Sequence, residues 1–570
     1  MSYLDVPRLH FQGRFRADTS TIDNHLSNFD PQLALGDKEV SWNAFGSHVF
    51  ELKDCRVGSA IDGDGRLLQT RAADRVVGAA VVSTNDPYPA KMVDLDPDQR
   101  FVTQIYGLEL QLSLSDSTEI VTGTMDVAAL ADLWVNIPGP GYADNRMAAS
   151  YQSVLRSLRW DNLAVSPVAR RLYELSPNQL SIKFVVDSFE YRSVKSDFCW
   201  GRIVGTVGPC FDNEPTHFIA GRRLTDPTQK YNPATAKVDK SRKRLIIDLG
   251  NSIPGTAPWG PIAPTCFQAA VDTRPPAASA AQTPITAADD GSLPSGYVAL
   301  GEITATQSAF DLTAGIVELP LSDSLLSAAD NHPLALFEVD AVQPTRLALQ
   351  EYALGLCVYT EPPFLRMNPG QKLRCGLFAT RFGRPAANLA LDLQLITSDP
   401  NQSYNNIPTS ALNFPPSVST CDDGWAYFDL TAAAPVGKPP QRQFIDGQIY
   451  YVGGSWQAFG QIYQGQGNGA LTILVFDDFP VKPNPVWADV QPIFEYYTRI
   501  YPYMTTILDL SDYASVKSAV DALQRVLALP VEHPHYMPVL RDLSDNKRTV
   551  ILNWLKSGAP FNAASGGGQP

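Results

Sequence analysis

From Arg8 to about residue 480 the apolar residues fall into strand-length clusters separated by turn signals, which restricts the chain to a β-rich fold. In Phe101–Leu114, Tyr106, Leu108, Leu110, Leu112 and Leu114 alternate with Gly107, Glu109, Gln111 and Ser113, as in a half-buried strand. Asp62-Gly63-Asp64-Gly65 separates Val49–Val57 from Arg66–Thr70 and reads as a hairpin turn. Further strands fit Leu180–Phe189, Gly201–Val207, Arg244–Leu249, Tyr297–Ile303 and Gly315–Leu321. The 45 prolines and 39 glycines are spread along the chain, as turn-rich β structure requires.

A single core rarely grows beyond ~250–300 residues, so 570 residues imply two to four domains. The expected fold class is mainly β. A large β-rich domain, or two subdomains, covers residues 1–340, with a Pro/Ala/Ser-rich loop at 272–296. An immunoglobulin-like β-sandwich follows at 347–480, a C-terminal helical segment at 485–558 and a disordered Gly-rich tail at 559–570. Within the first unit, Met147, Tyr151, Val154 and Leu158 recur at helical spacing and predict a helix over Asn145–Leu158. Helices are also expected at Trp487–Met504, at Asp512–Leu527 with Ser511 as N-cap, and at Asn546–Leu555 with Ser544 as N-cap.

Charged residues make up 18% of the chain and the net charge is −14. An acidic, lightly charged surface argues against nucleic acid or a membrane surface as partner. No apolar run reaches membrane-spanning length, and Met1–Arg8 has no positive n-region leading into an apolar stretch, so a cytoplasmic protein is expected. The seven cysteines are dispersed without a CxxC pair and read as free thiols. The HExxH, GxSxG and P-loop patterns are absent.

Three clusters carry candidate chemistry. Arg8, His10, Arg14 and Arg16 stand at even spacing, which puts them on one face of an extended strand. Such a face can hold a carboxylate through Arg14 and Arg16, with His10 as proton donor or acceptor; a structural network at the N-terminus is the plainer alternative. Asp94 and Asp96, candidate substrate-binding residues, alternate with Asp98, a spacing that suits either a cation or an Asx turn. Tyr496, Tyr497, Tyr501 and Tyr503 form an aromatic stripe, and Tyr497 and Tyr501 can line a pocket for an aromatic ligand or simply pack. No motif indicates a metal or a cofactor.

Several stretches occur together in a telling order. They are Pro7-Arg8-Leu9-His10-Phe11; Val93-Asp94-Leu95-Asp96-Pro97 with Arg100 and Gln104-Ile105-Tyr106; Gly315–Leu321; Tyr496-Tyr497 with Tyr501-Pro502; and Tyr536-Met537-Pro538 with Asn553-Trp554-Leu555. The set resembles the N-terminal portion of the imine-dimer (chromopyrrolate) synthases of violacein- and rebeccamycin-type pathways, without their C-terminal ferritin-like domain. The resemblance implies an enzyme of specialised metabolism, an oxidoreductase or cyclase, that couples or cyclises an aromatic or amino-acid-derived intermediate. It also implies haem or iron in some members, with His10 as a candidate haem ligand. The alternative expectation is a non-catalytic β-rich binding or scaffold protein, a homo-oligomer or one working with a separate catalytic partner.

Overall fold

The structure is a computed structural model that describes residues 3–19, 46–83, 89–96, 99–114, 116–139, 144–191, 199–212, 214–218, 220–226, 228–275, 292–339, 346–396, 407–439, 442, 445–456 and 470–562. The chain is mainly β. The expected tail lies outside the described residues beyond 562, as does most of the 272–296 loop.

The first unit closes into an antiparallel barrel. Strands Arg8–Ala17, Cys199–Pro209, Leu180–Tyr191 and Met147–Trp160 pair in that order. From Met147–Trp160 the sheet forks. One end runs through Glu119–Met125, Glu109–Ser113 and Ala80–Ser83, the other through Ala128–Val135, Gln99–Tyr106 and Ala90–Asp96. Both routes reach Val49–Ile61, which pairs back onto Arg8–Ala17. Each end is therefore ringed by eight strands, a number whose interior is filled by side chains.

Leu9, Phe11, Phe15, Tyr151, Leu155 and Phe184 belong to that filling. Phe11 and Phe15 pair with Gly205 and Gly201, where a Cβ would come within 2.4 Å and 2.1 Å of the rings. The glycines thus make room for the aromatics. Helix Pro167–Leu175, capped by Ser166, turns Val168, Ala169 and Leu172 into the same core. An apolar space of about 20 Å³ remains, too small and too dry for a ligand.

The helix expected over Asn145–Leu158 is instead the 14-residue strand Met147–Trp160. It has ladders on both edges, with register shifts against both fork arms. Its inner residues enter the barrel core while Val154 is buried against Cys210 on the outside. Two buried faces broken by bulges imitate a three-to-four-residue spacing.

The second unit is an eight-stranded antiparallel sheet running from Tyr297–Ala305 to Ile316–Pro320. Its end strands approach so closely that a Cβ on Gly301 would lie 3.4 Å from Leu319, so this sheet is nearly closed as well. The Pro/Ala/Ser-rich stretch connects two paired strands, Thr265–Asp272 and Tyr297–Ala305, and so belongs inside this unit. Two facing sheets between Leu356 and Val475 enclose a separate core, forming the expected sandwich.

The C-terminal helices run over Trp487–Ile500, Tyr513–Ser518, Val520–Leu527 and Asp545–Lys556. Ser544 caps the last as expected, whereas Asp512, not Ser511, caps the second, and the helix breaks at Ala519. This segment packs Trp487, Tyr497 and Trp554 around Val93 and Tyr106 of the first barrel. Among the described residues no helix is long and apolar enough to cross a membrane.

Candidate functional site

The odd residues of Arg8–Ala17 fill the barrel, so its even residues face outward. Cross-strand register then lines up Ser59, His10, Thr206, Lys183 and Gln152 in one row over the outer wall. The second barrel covers this row, and the layer between the barrels is polar. Arg8 pairs with Glu318 at 2.6 Å, and Arg202 with Asp187 at 2.8 Å.

At the far end of the row lies a polar cavity of about 50 Å³. Two ion pairs stand in its wall, and His217, also in the wall, is held by a carboxylate outside it. Lys183 Nζ lies 2.9 Å from Asp248 of the second barrel, whose carboxylate also accepts from the Tyr3 hydroxyl and from the Gly250 amide. Arg223 of the second barrel binds Asp132 of the first through both terminal nitrogens, at 2.5 and 3.1 Å. Asp132 sits at a left-handed φ of 52°, and its carbonyl accepts from Asn232 and Asn251. His217 bonds Glu361 of the sandwich through Nδ1 and donates from Nε2 to the Val127 carbonyl at 2.8 Å.

Burial alone would lower the His217 pKa, but Glu361 and the Val127 carbonyl together raise it above the usual value and favour the imidazolium. Burial and then Asp248 push the Tyr3 phenol well above 10, so it stays protonated. Phe218 and Tyr359, stacked at 4.2 Å, add an aromatic wall. The first barrel, the second barrel, the sandwich and the N-terminal segment thus converge on one cavity, the usual setting of a small-molecule site.

The residues expected from sequence divide between two places. His10 belongs to the polar row but not to the cavity wall. Its Nε2 accepts from Arg8 Nε at 3.3 Å and its Nδ1 lies 2.9 Å from Thr206 Oγ1. Burial, and secondarily Arg8, hold its pKa well below 6.5. With both nitrogens engaged and the ring fully enclosed, His10 has no room for a haem iron, so the surroundings do not fit that group. Arg14 is exposed, with its guanidinium 5.5 Å from the Trp259 ring, and Arg16 pairs with Glu51 at 3.0 Å. The three share a strand face as expected, yet His10 and Arg16 stand roughly 20 Å apart along it, too far for one small ligand. We expect His10→Ala to cost about 1–3 kcal/mol of stability, as for an unpaired buried polar partner, while leaving ligand affinity within twofold. Denaturant unfolding and ligand titration measure the two.

Tyr497, Tyr501 and Asp94 meet at the seat of the C-terminal helices. The Tyr497 and Tyr501 rings stack at 6.3 Å, and His48 lies edge-on to Tyr501 at 5.8 Å. Asp94 accepts from Thr103 at 2.5 Å. The Asp96 side chain lies outside the described residues. Both tyrosines are buried among helix side chains and do not line the polar cavity. Beside them Asp542 is buried, and burial raises its pKa to about 7. No group of three potential metal ligands occurs among the described residues.

Sequence reasoning missed Lys183, Asp248, Asp132 and Arg223. A usable signal existed in part: Lys183 interrupts the apolar run Leu180–Val186, and Asp248 ends Leu245–Ile247. A charge within a buried strand must find a partner.

No family model matches the chain, and no curated protein matches it. Among solved structures, the D00-D0 domain of intimin aligns with 41% of this chain and 93% of its own at 9% identity and a TM-score of 0.16. Domains 1–6 of the surface layer protein SbsC align over 72% of this chain at 7% identity and a TM-score of 0.15. Salmonella alpha-2-macroglobulin reacted with methylamine aligns over 97% at 11% identity and a TM-score of 0.15. The chain spans 52% and 35% of the length of the latter two. TM-scores of this size are far from a shared fold.

Proposed function

We propose that the chain takes an amino-acid-derived intermediate of specialised metabolism into the cavity between the barrels and, as an enzyme, moves a proton on it. The observation that carries this reading is the convergence of Lys183–Asp248, Arg223–Asp132 and the Tyr3 phenol on one polar space. Tyr3 is the uncharged proton-bearing group of the wall, and its hydroxyl, which donates to Asp248, is the one this reading assigns as proton donor. A cavity of about 50 Å³ accommodates roughly three to five non-hydrogen atoms, counting 10–15 Å³ for each water-sized centre. It therefore takes a polar head group, with an aromatic remainder left outside.

One observation favours a second reading, a binding protein that presents its ligand to a separate catalytic partner. Both wall carboxylates, Asp248 and Asp132, already have a cationic partner, which leaves neither as a free base. The two readings separate in a Tyr3→Phe variant assayed with the purified chain and candidate amino-acid-derived substrates. Loss of turnover by at least about a hundredfold with ligand affinity retained supports the enzyme. Unchanged turnover removes Tyr3 as the proton-transfer group, and ligand binding without any turnover by the parent chain supports the binding protein.

A further inference from the structure

Lys183 and Arg223 face Asp248 and Asp132 in the wall of the inter-barrel cavity, and the third cation of the wall, His217, is balanced by Glu361, to which it is hydrogen-bonded. Lys183, Asp248 and Arg223 are each below one-tenth exposed, so the set is screened from solvent. Such a wall has no net charge. A lone anion or cation entering it would leave one uncompensated charge at low dielectric, which costs far more than the contacts return. A ligand carrying both signs brings no net charge and can hydrogen-bond to both.

We propose that the cavity selects zwitterions, specifically the unmodified α-amino-acid head with a free ammonium and a free carboxylate. This rests on the reading of the cavity as the ligand site. The ammonium is taken by the Asp248 and Asp132 carboxylates, and the carboxylate by the Lys183 ammonium and the Arg223 guanidinium. The head has five non-hydrogen atoms, at the upper end of what the space holds. Tyr3, Phe218 and Tyr359 are the aromatic groups of the lining and bound what the α-carbon can carry.

The same balance predicts rejection of close relatives. An amino-acid amide or ester keeps the positive charge and loses the negative one, and a keto acid does the opposite. Both break neutrality, so an enzyme or carrier built on this site works on a compound that keeps the free α-amino-acid head, before its nitrogen is oxidised or its carboxylate lost.

The test is calorimetric titration of the full chain near neutral pH with glycine, acetate and methylammonium as probes. Glycine is expected to bind at least about tenfold tighter than either ion, the worth of one hydrogen bond to a charged group. Asp248→Asn makes the wall net positive and should shift the preference to acetate. Lys183→Met makes it net negative and should shift the preference to methylammonium. If acetate or methylammonium binds the parent chain as tightly as glycine, zwitterion selection is overturned while the cavity remains a ligand site. If no probe gives saturable heat, the reading of the cavity as a ligand site falls. The parent-chain series decides both points even if a variant does not fold.

Discussion

Above about pH 7 the Asp542→Asn variant is expected to be more stable than the parent chain by about 4 kcal/mol, whereas below about pH 4 the two should nearly coincide. Asp542 is 2% exposed, and neither carboxylate oxygen meets a donor at ordinary hydrogen-bond geometry among the described residues. Burial raises its pKa from 3.8 to about 7, helped by the Asp446 carboxylate and opposed by its own backbone amide, by Arg366 and by the Tyr497 hydroxyl. A raised carboxyl pKa means that the folded chain holds a proton the unfolded chain has released. The folded state therefore loses stability as pH rises from about 4 to about 7, by about 1.4 kcal/mol for each pH unit. Beyond that range both states are ionised and the penalty is constant.

The asparagine side chain carries no such penalty. His48, lowered to about 3 by burial, and Lys91, lowered to about 8 by burial, titrate in both proteins and cancel in the difference. Urea unfolding of both proteins across this range, with amide exchange followed in Trp487–Ile500 and Asp545–Lys556, measures the difference curve. A difference that does not change with pH would show that Asp542 ionises freely in the folded chain.

Lys183→Met is expected to destabilise the chain by about 3–5 kcal/mol and to abolish measurable glycine binding. The lysine is one of two partners of a buried ion pair, and its loss leaves Asp248 with only the Tyr3 hydroxyl and the Gly250 amide. Much of the cost is the stranded carboxylate, so adding Asp248→Asn should return a large part of the stability without returning binding. Thermal unfolding and calorimetry on the two single variants and the double variant resolve the coupling. Additive stability changes would mean that the two charges do not depend on one another, and the polar layer would lose its central contact.

How legible this molecule is in its sequence depends on the range over which each signal acts. The Asp62–Gly65 turn is local and stands in the structure, where the Asp62 carboxylate accepts from the Asp64 and Arg66 amides. The alternation holds over Leu108–Leu114, but the single strand expected over Phe101–Leu114 is broken at Gly107, at a left-handed φ of 64°, into Gln99–Tyr106 and Glu109–Ser113, and Tyr106 packs into the C-terminal core instead. The Ser544 cap is equally local and equally present. Met147–Trp160 misleads because its two faces are buried by different partners, so its apolar spacing records the tertiary surroundings and not the backbone period.

The even spacing of Arg8, His10, Arg14 and Arg16 assigns a face correctly. Nothing in that spacing says that the second barrel covers His10 and leaves Arg14 exposed. The Tyr497–Tyr501 stripe allows a pocket but more often means packing, and the C-terminal core around Trp487 and Trp554 places both tyrosines among buried side chains.

By itself the sequence determined the β class, the strand lengths, the turns, the helix caps and which residues share a strand face. These depend on a few neighbouring residues and on fixed backbone periods. The tertiary structure alone decided that two sheets roll up side by side and that Tyr3, Asp132, Lys183, His217, Arg223 and Asp248 surround one cavity, with Glu361 held against His217. Those residues are spread over more than 350 positions. They are brought together by strand pairings between distant segments, whose register no local pattern encodes.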